Sequence, residues 1–257
     1  MPTASLQALL KHSIDYAGMF PPCSLDLEPA LQNQAEYVRS PDEWMLGAFV
    51  LSVEQFDAAK QLLPRFDPLH PLRVAALGPR TENADAFLAA LEKADAAIGS
   101  LSKHNVDLVS ISHLEMFLPH DNVSPARTGL ALLKEARSIV GDLPVFWEAP
   151  PDKAEQTIAL VAEHNSDADV ASFGYKLRTG GVTADAFPTS GQIAGALVAP
   201  ATHQVPIKFT AGLHHPLRQY REEVRAKMYG FLNVLGAAVL AAEHRWDARQ
   251  TSIMLED

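Results

Sequence analysis

Val170–Leu177 (VASFGYKL) and Pro206–Thr210 (PIKFT) are two short apolar runs, each interrupted by one lysine. Between them Ser190–Ala199 carries a helical pattern. Short apolar runs bounded by glycine and proline predict buried strands, and a longer periodic segment predicts a helix. Two strands joined through a helix predict a parallel β-α-β unit, because a tight hairpin connection has no room for the helix. This unit decides how the rest of the chain is read.

The same alternation extends toward the N-terminus. Met45–Leu51 (MLGAFVL) predicts a strand, and Glu54–Leu63 a helix that Pro64 stops. Arg73–Leu77 (RVAAL) predicts a strand ended by Gly78-Pro79, followed by a helix over Asn83–Asn105. Asp107–Phe117 (DLVSISHLEMF) predicts a strand, and Pro125–Val140 a helix with proline in its first turn and Gly141 just past its end. Val145–Glu148 predicts a strand closed by Pro150-Pro151, with a helix over Lys153–Asn165. Beyond Thr210, Leu217–His244 reads as one long helical region.

Strands alternating with helices leave two architectures, a (β/α) TIM-type barrel and an open doubly wound sheet. The chain has 257 residues, the length of one barrel. No glycine-rich dinucleotide turn follows any strand, and polar residues stand at the carboxyl ends of several strands. Both features favour an α/β, (β/α)-barrel fold in a single domain over 1–257, incomplete or irregular, since six strands are clear. Ile14–Phe20 supplies a candidate seventh, and Ser252–Leu255 a weak candidate for the last.

Composition narrows the function. Apolar residues make up 47% and charged residues 20%, so the chain can bury a large core. Lys and Arg number 21 against 31 Asp and Glu, a formal charge of -10, which argues against nucleic acid as a partner. Cys23 is the only cysteine, and its surroundings offer no activating base; a reducing, cytoplasmic setting is expected. Met1–Leu10 lacks the pattern of a secretory leader. Met228–Ala242 is the most apolar run, broken by Gly230, Asn233 and Gly236, and it falls short of a membrane span. It reads as a buried helix, belonging either to the core or to a homo-oligomer interface. Asn233 on it reads as structural, bonded to backbone groups.

In a barrel the reacting groups stand at the carboxyl ends of strands. Those positions hold His113 and Glu115, then Glu148, then Lys176 and Arg178 with Thr179, Gly180 and Gly181, then Lys208, Thr210, Gly212, His214 and His215. Asp15 joins them from a polar-aromatic stretch near the N-terminus. Lysine inside an apolar strand is costly unless it is paired or functional. Lys176 and Lys208 read either as structural lysines bonded to Glu148 or Glu115, or as an amine nucleophile and its tuning partner. Partial desolvation and a second ammonium lower a lysine's affinity for its proton, which is the requirement for Schiff-base chemistry. Arg178 with the Thr179–Gly181 backbone reads as an anion site. His214 and His215 alternate in direction, so one at most faces a given site, as a general acid or base. No HExxH or His-x-His spacing occurs, so neither metal nor cofactor is expected.

The lysine strands GYKLRTGG (174–181) and VPIKFTAGLHH (205–215) resemble those of class I aldolases of the deoxyribose-phosphate type. The resemblance implies a (β/α)₈ barrel in which Lys176 forms the carbinolamine and then the imine, tuned by Lys208. It covers about forty residues. Arg178 stands where that family has small hydroxylated residues, and TAGLHHP stands where it has a Gly-Gly phosphate turn, which argues against its manner of phosphate binding. IDYAGMFPP (14–22), WMLGAFV (44–50), KLRTGG, KFTAGLHHP (208–216) and GFLNVLGAAVLA (230–241) also resemble a group of bacterial proteins, and that likeness implies no activity.

The leading expectation is therefore a barrel lyase acting on a small anionic metabolite with a carbonyl group through a lysine Schiff base. The alternatives are a non-covalent or metal-assisted barrel enzyme that uses the lysines as charges, and a small-anion binding protein.

Overall fold

A computed structural model of the chain describes residues 3–103, 105–119, 129–166 and 173–256. The expected helix start at 125–128, strand start at 170–172 and helix position 104 lie outside the described residues. The described chain divides into two compact units. The first comprises Met1–Thr81, Asp85–Met116 and Ile139–Leu143, and the second Glu82–Ala84, Phe117–Ser138 and Pro144–Asp257.

In the first unit, helix α1 (Ala4–Leu10) leads into strand β1 (Ile14–Tyr16), and helix α2 (Leu27–Tyr37) into β2 (Leu46–Ser52). A short helix α3 (Phe56–Lys60) precedes β3 (Leu72–Leu77), and helix α4 (Ala84–Ser102) precedes β4 (Val109–Phe117). β1 to β4 pair in chain order, every pair parallel. Two registers are interrupted: between Ile14 and Tyr16 on β1, and between Val74 and Ala75, whose partners Ile111 and His113 on β4 leave Ser112 as the extra residue. α4 shows why these segments are helices: Phe87, Leu91, Ala94, Ile98 and Leu101 recur at three- and four-residue spacing and are all buried. Each large side chain so buried contributes about 1.5–3 kcal/mol.

The second unit holds helix α5 (Leu130–Val140) up to Ser138, then strand β5 (Val145–Glu148), helix α6 (Ala154–Ser166) and strand β6 (Gly174–Arg178). Helix α7 (Ser190–His203) and strand β7 (Ile207–Thr210) follow. β5, β6 and β7 pair in chain order and in parallel. One face of these strands carries Trp147, Tyr175 and Leu177, all fully buried. Phe173, just before β6, lies between the Arg137 guanidinium, 3.9 Å from its ring centroid, and the His164 ring, stacked at 4.6 Å.

Both units therefore have parallel strands in unreversed chain order with helical crossovers. A doubly wound sheet reverses its order at a switch point. The fold is α/β of the (β/α)-barrel type, irregular in having seven parallel strands among the described residues. Ile14–Tyr16 supplies the seventh, as its sequence suggests.

Three expectations are corrected. Ser252–Leu255 is not a strand but part of helix α9 (Ala248–Glu256). Asp247 and Gln250 bond each other's backbone N–H reciprocally at its start, at 2.8 and 3.1 Å, a D-x-x-Q form of the capping box. Leu217–His244 is not one helix. Strands β8 (Gln219–Arg221) and β9 (Ala226–Met228) form an antiparallel hairpin, and helix α8 (Phe231–His244) begins after Gly230. The segment RQYREEVRAK (218–227) has helix-favouring residues but no apolar stripe to hold a helix against a core. Glu54–Leu63 is a 3-10 turn followed by the short α3 rather than one helix.

α7 also runs past its expected end at Ala199. It starts with a complete Thr189–Gln192 capping box and continues through Pro200, which is buried. α8 buries one face, through Asn233, Val234, Ala237 and Ala241, while Val239 is exposed. Asn233 accepts the Arg218 backbone N–H at 2.8 Å, the structural role its isolation in an apolar helix suggests. No helix among the described residues is long and apolar enough to cross a membrane.

Candidate active site

The alternation of β6 determines where its charges go. Tyr175 and Leu177 are on the face packed in the core, so Gly174, Lys176 and Arg178 share the other face. The register places Glu148, Lys176 and Lys208 as Cα partners across β5, β6 and β7. Residues paired in this way sit about 4.8 Å apart in the direction of the sheet and project to the same side. The three form one row at one height.

Lys176 is 4% exposed, and its Nζ lies 2.8 Å from Glu148 Oε2. Below the row the site is apolar. A Cβ on Gly174 would fall 2.5 Å from the Phe146 ring and 2.9 Å from the Pro206 carbonyl, so only glycine admits that ring beneath Lys176. Above it, Arg178 pairs with Thr210. Arg178 is exposed and Lys208 half-buried.

The loops after β6 and β7 are tied to each other. The Thr179 N–H donates to the Thr210 carbonyl at 2.8 Å, and the Thr179 hydroxyl donates to the Thr210 and Ala211 carbonyls. Gly212 has φ +77°, and a Cβ there would meet the Gly180 Cα at 3.0 Å. Thr179, Gly180 and Gly212 thus hold the loop shape with buried groups, and Gly181 remains partly exposed. Past this turn the His215 and Pro216 carbonyls accept the Phe231 and Leu232 N–H groups at 2.9 and 3.0 Å, so the His-His-Pro backbone caps α8. Burial lowers the His214 pKa from its ordinary value, and the neighbouring His215 lowers it further.

Tyr175 was not among the expected site residues. Its hydroxyl donates to the Ala149 carbonyl at 3.3 Å. Burial pushes its pKa well above the ordinary phenol value, and the charges of Glu148 and Asp152 add to the shift. It stays a neutral phenol behind the Glu148–Lys176 pair. Its apolar strand context hides this role in the sequence.

The first unit brings together the other expected residues. Asp15, His113 and Glu115 each direct a ligand-type atom to one spot, all three atoms within 4.8 Å of one another. His113 Nε2 lies 3.0 Å from Glu115 Oε1, and its Nδ1 lies 2.9 Å from Ser112 Oγ. Asp15 Oδ1 accepts the Ala48 N–H at 2.7 Å. Glu115 is 1% exposed. Ser112 is a further member that the sequence does not announce, because a bulge is needed to aim its neighbour inward.

No protein-family model matches the chain, and no curated protein does. Among solved structures, one described as the first monomeric dihydrodipicolinate synthase variant is similar to it. The likeness covers 99% of this chain and 81% of that one, at 13% identity and a TM-score of 0.44.

Proposed function

We propose that the chain is a lyase of the Schiff-base type acting on a small anionic carbonyl compound, with Lys176 as nucleophile. The observation that carries this reading is the row Glu148–Lys176–Lys208 at one height across three adjacent strands. Two ammonium groups and one carboxylate carry a net charge of +1. Release of one proton leaves one ion pair and one neutral amine, the state imine formation needs. The Lys208 ammonium and the apolar floor of Phe146 favour that release from Lys176; the Glu148 carboxylate opposes it until it re-pairs with Lys208.

In the reaction, the neutral Lys176 nitrogen attacks the carbonyl carbon, the carbonyl oxygen takes up a proton from solvent, and the Glu148 carboxylate takes the proton that the nitrogen sheds. The carbinolamine then loses that oxygen as water, with a second proton supplied by Glu148, and a protonated imine forms. The imine draws electrons from the bond between its α- and β-carbons: a β-hydroxyl gives up its proton, the β-carbon leaves as an aldehyde carbonyl, and the electron pair of the broken bond enters the enamine. Glu148, or His214 or His215 after β7, relays the protons. Arg178 and Thr210, one layer above the amine, with the Thr179–Gly181 turn beside them, hold the substrate's anionic group.

Borohydride trapping with a panel of small anionic aldehydes and keto acids, read by peptide mass spectrometry, tests the proposal. A reduced adduct on Lys176 is expected, absent in Lys176→Met. No adduct across the panel on folded protein rejects the mechanism, and an adduct on Lys208 alone reassigns the nucleophile.

A further inference from the structure

We propose that Asp15, His113 and Glu115 hold one divalent first-row transition-metal ion and leave it open coordination positions. The sequence carries no HExxH or His-x-His spacing; His113 and Glu115 share one face of β4, and Asp15 reaches them only through folding. The inference uses none of the residues that carry the imine reading.

Three observations converge on it. First, the donor set: one imidazole nitrogen and two carboxylate oxygens lie within 4.8 Å of one another. Metal–ligand bonds of about 2.0–2.2 Å put the donors roughly 3–4 Å apart, so small side-chain adjustments complete the cage. Second, the chemical character: two carboxylates meet beside one ring, with Glu115 buried, and two oxygens with one imidazole nitrogen match a divalent cation. Third, the aim of the imidazole: Ser112 Oγ bonds Nδ1 on the outer side, so Nε2 turns toward the carboxylates. An outer hydrogen-bond acceptor behind a ligating histidine fixes its ring orientation, and the Ser112 oxygen fills that place.

The backbone supports the same reading. Asp15 and Ser112 both sit at register irregularities, and bulges re-aim side chains at active sites. Asp15 is held from behind by the Ala48 N–H, and a Cβ on Gly47 would fall 2.2 Å from Asp15 Oδ1. A side chain at position 47 would displace the carboxylate.

The nitrogen donor selects the class of ion. Imidazole with carboxylates suits zinc, iron(II) or manganese(II) better than calcium or magnesium, which prefer oxygen alone. Three protein ligands instead of four leave a position for water or for an oxygen-bearing substrate.

The test uses the full chain, stripped by chelator dialysis and titrated with zinc by calorimetry, with magnesium and calcium as comparison ions. One zinc per chain is expected, with magnesium and calcium binding far more weakly. His113→Gln and Glu115→Gln should each lose roughly a hundredfold in affinity or more, and Ser112→Ala about tenfold, the range for an outer partner of a ligand. X-ray absorption of the zinc-loaded unsubstituted chain gives a check that needs no variant: one imidazole with oxygen ligands is expected. Weak, non-stoichiometric binding overturns the proposal. So does equal affinity in folded His113→Gln and Glu115→Gln, preference for calcium or magnesium, or a zinc shell with no imidazole or with two.

Discussion

Glu148 Oε2 stands 2.8 Å from the Lys176 amine, and the two residues are Cα partners across β5 and β6. Their side chains are 16% and 5% exposed, so little water replaces a lost partner. Removing one member of such a buried pair leaves a charge without compensation and costs about 3–5 kcal/mol. Glu148→Gln and Lys176→Met are each expected to destabilise the chain by amounts of that order in urea unfolding. The double variant should recover a substantial part, because no buried charge is stranded. Additive losses in the double variant would show that the pair is not coupled.

Lys208 bears on the chemistry through Lys176. Lys208→Met removes the neighbouring positive charge, so Lys176 should hold its proton more firmly. Each pKa unit is a factor of ten in the neutral amine. Borohydride trapping at pH 7 should slow by about tenfold or more, and the pH profile of trapping should move to higher pH. Lys208→Arg should restore most of the rate, whereas a purely structural lysine would leave the profile in place.

Tyr175 makes stability sensitive to alkali. Its phenol pKa is raised in the folded chain by burial first and then by Glu148 and Asp152. Tyr16 and Tyr229 are raised as well, chiefly by burial. Below the unfolded value of about 10 the phenols are protonated in both states, so the stabilisation is fully present. Above it the unfolded chain releases protons that the folded chain retains, and stability falls as pH rises. Urea midpoints should be flat from pH 8 to about 9.5 and drop beyond it. Tyr175→Phe should lessen the drop. An unchanged slope in that variant would remove Tyr175 as its main source.

Two glycines should respond in opposite directions. A Cβ on Gly47 would overlap Asp15 Oδ1, so Gly47→Ala should weaken the Asp15–Ala48 bond and cost about 2 kcal/mol. Gly99 lies within α4 with open space where a Cβ would go, so Gly99→Ala should stabilise by about 0.5–1 kcal/mol. Thermal denaturation of the two variants reads both signs.

Much of the architecture is legible locally. VASFGYKL and PIKFT alternate tightly enough to be strands, and the intervening segment has helical spacing and a Thr189–Gln192 cap. The errors fall where local signals compete. RQYREEVRAK favours helix by residue preference, yet it has no apolar stripe, and its strands gain more by pairing with each other. SIML near the C-terminus looks like a strand because four residues cannot reveal a helical period, and the Asp247–Gln250 cap decides it.

By itself the sequence determined the alternation of strand and helix and the presence of a lysine in each of two apolar strands. Side-chain alternation, a property of the chain alone, already places Lys176 opposite Tyr175 and Leu177. Only the tertiary structure decided register. Pairing across β5, β6 and β7 makes Glu148, Lys176 and Lys208 level, and displaced pairings beside Asp15 and Ser112 bring one aspartate from the N-terminus to His113 and Glu115. The physical reason is that a one-residue slip reverses which face a side chain occupies. Register is set by packing summed over whole strands, which no local stretch of residues contains.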